Sequence, residues 1–534
     1  MTQLSKAVLA ENASNIFNTV SETVVSTSVQ TKSRQSICLS IRNLQFNLAH
    51  LNAWLTRETQ SLNEQPSGIH YRVSVTSSLG DSVGYTQDHF YVFSFDRSDD
   101  VSVRGSCCMD RKIIFPCDDT DPPCEATVRP QDLKGTRHDP NNYVMLMSEL
   151  IEDTPHGMVV TVDIAAASGT KYLGTAKLFI NAHGATQGQQ RAPILSSELV
   201  PFGELLVDYL IVQNALTIPT RDAAMSFTKP EWLTSKTLQM AHRGAGTGVR
   251  TDLPRNLLEN TIASFNHSIE HGADFVELDL FVTRDGIPAV FHDFTVEIVG
   301  QDEHDITEIQ CDELTLDELR ALKALKMKQA DGQHIIINVD ELEPDNKPFQ
   351  TLEEIFHGVL PGAGLCLEFK WPQMFEDGTM EAFKHRDIND YVDRVLDVVH
   401  KHANGRPVIL QTFEANLALL LRMKQNEHPV IFLTEGVTPL YPAYQDPRTR
   451  NVINSICFAR AFDFAGVNLL VDFYLNDPKG QLVKFIHNHD MVAHAWGNSL
   501  NSRGMIERLM SSGLDSMVYD YTDKILSTSL ASAG

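Results

Sequence analysis

The sequence predicts an α/β fold: a (β/α)8 barrel preceded by an all-β sandwich-like domain. Three observations predict it. Residues 36–215 read as short strands separated by turn residues. From Leu238 onward, short apolar runs alternate with longer amphipathic stretches over roughly 290 residues, the length of a (β/α)8 barrel. The chain has 534 residues, too many for one ordinary core, so two or more domains are expected.

Residues 1–35 are Ser/Thr-rich, lack the apolar run of a secretory signal, and are expected to be a disordered tail. In the β region, Tyr71–Thr76, Tyr91–Phe95 and Met158–Ile164 alternate apolar and polar residues, and Leu205–Val212 is a more continuous apolar run. Residues 40–62 are ambiguous and could include a helix. Residues 216–237 read as a linker. In residues 238–530, nine candidate strands appear: Leu238–His242, Phe275–Phe281, Ile287–His292, Leu365–Phe369, Val408–Phe413, Val430–Thr434, Phe464–Leu469, Met491–Trp496 and Ser516–Tyr519. Amphipathic helices are expected at Asn260–His271, Asp387–His402, Ala415–Gln425, Pro478–His489 and Ser502–Ser512.

Composition narrows the function. Basic residues number 44 against 69 acidic ones, giving a formal charge of −25. A surface that acidic repels nucleic acid and anionic membrane. No apolar run approaches the roughly 20 residues of a membrane span, so stable membrane insertion is not expected. The eight cysteines show no disulfide framework, which points to a reducing, cytoplasmic setting. The group Cys107, Cys108, Cys117 and Cys124 does not have zinc-ribbon spacing.

Polar residues at strand ends carry the chemistry, because a parallel barrel builds its site at the C-terminal ends of its strands. His242 and Arg243 end the first candidate strand. Glu277 and Asp279, at i and i+2 in the apolar run Phe275–Phe281, project to one face. Burying two acids there is costly without a compensating cation or proton. Glu368 and Lys370 repeat the spacing. Asp285-Gly286 reads as a two-residue hairpin turn that would set His292 opposite Asp279 and make one of the nine strands an extension.

Glu277, Asp279 and Glu368 form an all-oxygen set that suits one hard divalent cation, Mg²⁺ or Ca²⁺. Arg243 can grip a phosphate through two hydrogen bonds. Lys370 can add a point charge or simply pair with Glu368. His242 and His292 could act as general acid and base. Trp496 alone reads as core packing. The set as a whole reads as phosphoester hydrolysis.

Read together, these segments resemble the glycerophosphodiester phosphodiesterase family. The matching stretches include Ala241-His-Arg-Gly244, Glu259-Asn-Thr261, Gly272–Asp279, Thr283–Gly286, Phe291-His-Asp293, Leu314–Leu319, Glu368-Phe-Lys370, Trp496-Gly-Asn498 and Gly513–Asp520. The resemblance implies a TIM barrel, a bound divalent cation, and hydrolysis of glycerophosphodiesters to glycerol 3-phosphate and an alcohol. It implies His242 and His292 as the acid–base pair and Glu277, Asp279 and Glu368 as metal ligands. Arg243, Lys370 and Trp496 then contact the substrate. Ala241–Gly246, Glu259–Ser264 and Ile431–Thr434 are similar to cytosolic animal glycerophosphocholine phosphodiesterases, which implies hydrolysis of glycerophosphocholine to choline and glycerol 3-phosphate. Those proteins begin with a starch-binding-type β domain. Here Trp54 is the only tryptophan before Trp232 and no paired aromatic platform is found, so a β domain docked on the barrel is expected rather than a glycan binder. The rival readings are a phospholipase D-type enzyme acting on lysophospholipid or sphingomyelin, and a non-enzymatic regulatory binding protein. The phospholipase would favour an apolar membrane-docking loop, which the sequence does not reveal.

Overall fold

The computed structural model describes residues 185–213, 228–300, 306–329, 333–477 and 479–530. Upstream it describes the strands at residues 35–46, 69–77, 91–96, 113–114, 125–126, 129–130, 136–137, 142–150, 158–166 and 172–180. The expected tail, Trp54, the cysteine group at 107–124 and most of the expected linker lie outside the described residues.

Eight parallel strands close into a barrel. They are β1 (Leu238–Ala241), β2 (Phe275–Val282), β3 (Gly364–Phe369), β4 (Val408–Thr412), β5 (Val430–Thr434), β6 (Gly466–Leu470), β7 (Val492–Trp496) and β8 (Ser516–Tyr519). Closure is made by β1, which pairs with β2 at Met240–Phe275 and with β8 from Leu238–Ser516 to Ala241–Tyr519. The helices that follow the strands are α1 (Ile262–Glu270), α2 (Leu352–Gly358), α3 (Ile388–His402), α4 (Ala415–Lys424), α5 (Val452–Ala461), α6 (Gln481–Asn488), α7 (Arg503–Met510) and α8 (Thr522–Leu530). Side chains at the first helical turns fix where several begin. Thr261 and Asn451 cap α1 and α5, and a reciprocal Thr351–Glu354 pair starts α2.

Strand period decides what faces where. Leu238, Met240, Phe275, Cys366, Ile409, Ile431, Val492 and Val518 fill the barrel interior, and Leu233 and Trp232 close over them from the segment before β1. Val276, Leu278, Leu280, Leu365, Leu367, Leu410 and Phe432 point the other way, into the layer beneath the helices. Every residue of β2 is buried, so Glu277 and Asp279 have nowhere to project but inward.

The ninth candidate strand is the short Pro288–Val290, an antiparallel extension of β2. Its register differs from the expectation by one residue. Leu280 faces Val290 and Phe281 faces Ala289, and the Phe291 amide donates to the Asp279 carbonyl, so Asp279 lies opposite Phe291 rather than His292. The reason is the turn. Gly286 sits at φ +86°, its amide donates to the Thr283 carbonyl, and the Thr283 amide donates to the Ile287 carbonyl. The loop is therefore three residues long, with a left-handed glycine as its last member.

Between that extension and α2 the chain makes an excursion that the sequence did not reveal. It is a four-stranded antiparallel sheet in the spatial order Ile306–Gln310, Thr295–Val299, Ala324–Lys328, His334–Asn338. Val296, Leu325, Met327 and Ile337 from it pack with Phe281, Ala289 and Phe291 into a separate apolar cluster.

Ten upstream strands, among them Gln187–Leu195 and Pro201–Val212, form one antiparallel ladder, while Ile113–Ile114 and Glu125–Ala126 pair separately. The strand Gln35–Phe46 runs into the first part of the region read as ambiguous, 40–62, and pairs with Pro201–Val212. Leu210 and Val212 of that partner strand pack into the barrel's helical layer. At the start of α3, the Asn389 side chain donates to Thr186 Oγ1 (2.8 Å) and the Ile211 carbonyl (3.0 Å) and accepts from the Gln213 amide (2.9 Å). Asp387 accepts from Thr186 Oγ1 at 2.7 Å. Among the described residues no helix is long and apolar enough to cross a membrane.

Candidate active site

The C-terminal mouth of the barrel gathers most of the residues singled out from sequence. Carboxylate oxygens of Glu277, Asp279 and Glu368 lie within 4.8 Å of one another. They come from β2 and β3, whose pairing sets Asp279 beside Glu368. Glu277 and Asp279 are 2% and 1% exposed. Burial, then Asp279 and Glu368, raise the Glu277 carboxyl well above the usual carboxylate range. Burial acts the same way on Asp279, but His292, Arg243, Lys370 and a hydrogen bond from Asn260 more than offset it and hold that carboxyl low. Two adjacent acids are thus driven in opposite directions, as expected where three acids share a site short of positive charge.

Arg243 is bound tightly from both ends. Its backbone is left-handed, φ 48°. Its amide donates to Glu277 Oε2 at 2.9 Å, and its carbonyl accepts from the Asn260 amide and Ser264 Oγ. Gly244 follows at φ +83°, and a Cβ there would stand 2.5 Å from Ser264 Oγ, so the turn after β1 admits only glycine. The guanidinium donates to Glu259 at 3.2 Å and lies 3.5 Å from Asp279. Burial works against its charge, but Glu259, Asp279 and Glu277 hold it firmly protonated.

Lys370 Nζ bridges Glu368 (3.3 Å) and His292 Nε2 (3.4 Å), so the lysine makes the expected pairing with Glu368. His292 reaches the site by leaving the ladder after Val290, with its Nδ1 2.6 Å from Asp293. His242 Nδ1 lies 2.9 Å from Asp520 Oδ1. Asp520 is itself fixed by the Thr247 amide (2.9 Å) and Asn501 Nδ2 (3.0 Å). Burial opposes its charge, but the His242 contact and these donors hold its carboxyl below the usual range. With Nδ1 donating to a carboxylate, each neutral imidazole keeps its lone pair on Nε2. Trp496 ends β7. Its Nε1 donates to the Thr434 carbonyl (3.3 Å), and its ring lies 5.4 Å from Phe413 and 5.8 Å from Tyr441.

Glu259, Asn260, Asp293 and Asp520 lie within the matching stretches, but sequence reasoning gave these supporting residues no role. Asp520 stands one residue beyond the end of β8, as His242 does beyond β1, so the strand-end rule could have found it. Replacing Asp520 with Asn should lower turnover by roughly 10- to 100-fold, the usual effect of losing a group that orients a working histidine. A kcat that falls while KM holds, with unchanged thermal unfolding, is the expected result; an unchanged kcat would show that the contact is idle.

The donor set fits a divalent cation: three carboxylates, two of them buried, with one carboxyl driven upward by its neighbours. Arg243 and Lys370 supply positive charge beside Asp279 and Glu368.

A glycerophosphoryl diester phosphodiesterase family model matches residues 242–524. Glycerophosphocholine phosphodiesterase of Homo sapiens is 27% identical over 422 residues, covering 76% of this chain and 62% of that protein. Its counterpart in Schizosaccharomyces pombe is 27% identical over 351 residues, covering 58% of this chain and 30% of that protein. The chain therefore spans less than two thirds of the length of these relatives. A solved phosphodiesterase of Oleispira antarctica is 20% identical with a TM-score of 0.39, covering 55% of this chain and 98% of that one. With a family match over more than half of its length that takes in His242, Glu277, Asp279 and Glu368, the chain belongs to the glycerophosphoryl diester phosphodiesterase family.

Proposed function

We propose that the chain hydrolyses glycerophosphodiesters, and glycerophosphocholine in particular, to choline and glycerol 3-phosphate. The observation that carries this reading is the meeting of three carboxylates within 4.8 Å with Arg243 and Lys370 beside them. Glu277, Asp279 and Glu368 would hold the cation, Mg²⁺ or Ca²⁺. When bound, it neutralises charge that builds on the phosphate in the transition state.

The chain's own groups account for the rest. Arg243, pinned by Glu259, presents its remaining N–H groups to phosphate oxygens. Lys370 adds a second positive charge. One histidine Nε2 accepts the proton of the nucleophile, water or the glycerol 2-hydroxyl, as its oxygen bonds to phosphorus; in the second case water then opens the cyclic phosphate to glycerol 3-phosphate. The other histidine, protonated, gives its proton to the choline oxygen as that P–O bond breaks. Asp520 and Asp293 hold the two rings in register. Trp496 lines the head-group side. The division into a tail (1–35), a β region (36–215), a linker (216–237) and a barrel (238–530) belongs to the same proposal. So does a cytoplasmic setting, in keeping with the buried free thiols Cys311, Cys366 and Cys457.

A specific observation favours a second reading, phospholipase D-type action on lysophospholipid. Exposed apolar side chains not evident from sequence line the loops after β3 and β5: Met374, Met380, Phe383, Val437 and Leu440. A product assay separates the two. Purified protein with Mg²⁺ or Ca²⁺ is expected to release choline from glycerophosphocholine far faster than from lysophosphatidylcholine. The opposite ranking would overturn the first reading.

A further inference from the structure

One buried acid at the mouth has no part in the phosphate chemistry. Glu435 directly follows β5, in phase with the inward-facing Ile431. It is 5% exposed, and among the described residues its Oε1 meets no hydrogen-bond donor. Burial and the nearby Glu381 push its carboxyl up to about 8. A buried acid left without a donor is unfavourable unless something positive comes to it.

Its surroundings are aromatic. Trp496 donates to the carbonyl of Thr434, the residue before Glu435. Phe413 lies edge-on to Trp496 at 5.4 Å, and Tyr441 lies 5.8 Å from it. Tyr444, 6.3 Å from Phe413, donates to Glu381 at 2.9 Å. Glu381, Phe413 and Tyr444 line the same cleft as Glu368 and Lys370, so this group opens onto the phosphate end of the site.

We propose that Glu435, with Glu381 and the rings of Trp496, Tyr441 and Phe413, forms the subsite for a quaternary ammonium head group on the leaving alcohol. The proposal rests on the phosphodiesterase reading above and deepens it. A trimethylated ammonium has no N–H to donate. It is held by aromatic faces and by negative charge at short range, which is what these residues offer. A neutral polyol could donate a hydroxyl to Glu435, but it brings no positive charge to the acids or to the aromatic faces. The acids act on the head group and not on the reacting atoms, so they set specificity.

The test compares kcat/KM for glycerophosphocholine and glycerophosphoglycerol in the full chain and in Glu435→Gln. The ratio should fall about tenfold or more in the variant, mainly through KM for the choline ester. A wild type that cleaves neither diester would overturn the phosphodiesterase reading itself. A wild type that cleaves both, with a ratio within about twofold in the variant, would overturn the subsite alone. Should Glu435→Gln not fold, wild-type inhibition decides. Tetramethylammonium should compete with glycerophosphocholine at concentrations where neutral neopentyl alcohol does not. Equal inhibition by both, or none by either, would overturn the subsite.

Discussion

Alanine at His242 or at His292 is expected to lower turnover of glycerophosphocholine by about 10²- to 10⁴-fold, the usual worth of a positioned acid or base. The fold should survive both changes. The two side chains are 26% and 28% exposed and touch polar partners rather than the apolar clusters. Circular dichroism and thermal unfolding close to wild type would document that. Near-wild-type turnover in both variants would remove the histidines from the mechanism. A diester with a good leaving group, such as a nitrophenyl glycerophosphate, then sorts the roles. It needs no proton on departure, so it should restore much of the rate to the variant lacking the acid and little to the one lacking the base.

Chelation should have an effect at least as large. With EDTA in excess, activity is expected to vanish and to return with Mg²⁺ or Ca²⁺; full activity in EDTA would refute the cation site. Stability should move as well. The Glu277 carboxyl is raised in the folded chain, so its ionisation opposes folding. The metal-free protein should therefore lose stability as pH rises above the unfolded value near ~4.3, and the loss should be complete once pH passes the raised folded value. A bound cation cancels that loss. Glu277→Gln removes the charge but keeps an oxygen for the Arg243 amide. In EDTA above neutral pH it should melt higher than wild type, by roughly 2–4 °C for each kcal/mol regained, and yet be inactive with metal. A lower melting temperature for the variant would contradict the assignment of Glu277 as a repelled buried acid.

Much of the barrel could be read from sequence because its strands are short, uniformly apolar and separated by amphipathic helices. Val430–Thr434 and Ser516–Tyr519 stand where the apolar runs predict them. Glu277 and Asp279 were legible for the reverse reason: charge inside an apolar strand is costly and needs an explanation. The excursion at 295–338 was not legible. Its five-residue strands mix Glu, Lys and His with apolar residues, and their sheet becomes evident only when packed against Phe281 and Phe291. The hairpin register failed by one residue because Asp-Gly serves two- and three-residue turns alike. Asp520 escaped because its partner, His242, lies 278 positions away.

The N-terminal half of α3 ties the upstream strands to the barrel. Asp387 and Asn389 bind Thr186, Ile211 and Gln213 on one side. On the other, Arg386 donates to the Thr283 carbonyl, Arg394 to the Gly286 carbonyl and Tyr391 to the Leu280 carbonyl, all in the hairpin that leads to His292. A gene cut just ahead of Leu238 would strip the Asn389 amide of three partners and leave water in their place. The loosened turn would be the one that steadies the hairpin. Shuffling this barrel onto a new N-terminal neighbour would thus require the newcomer to bring its own hydrogen bonds for α3.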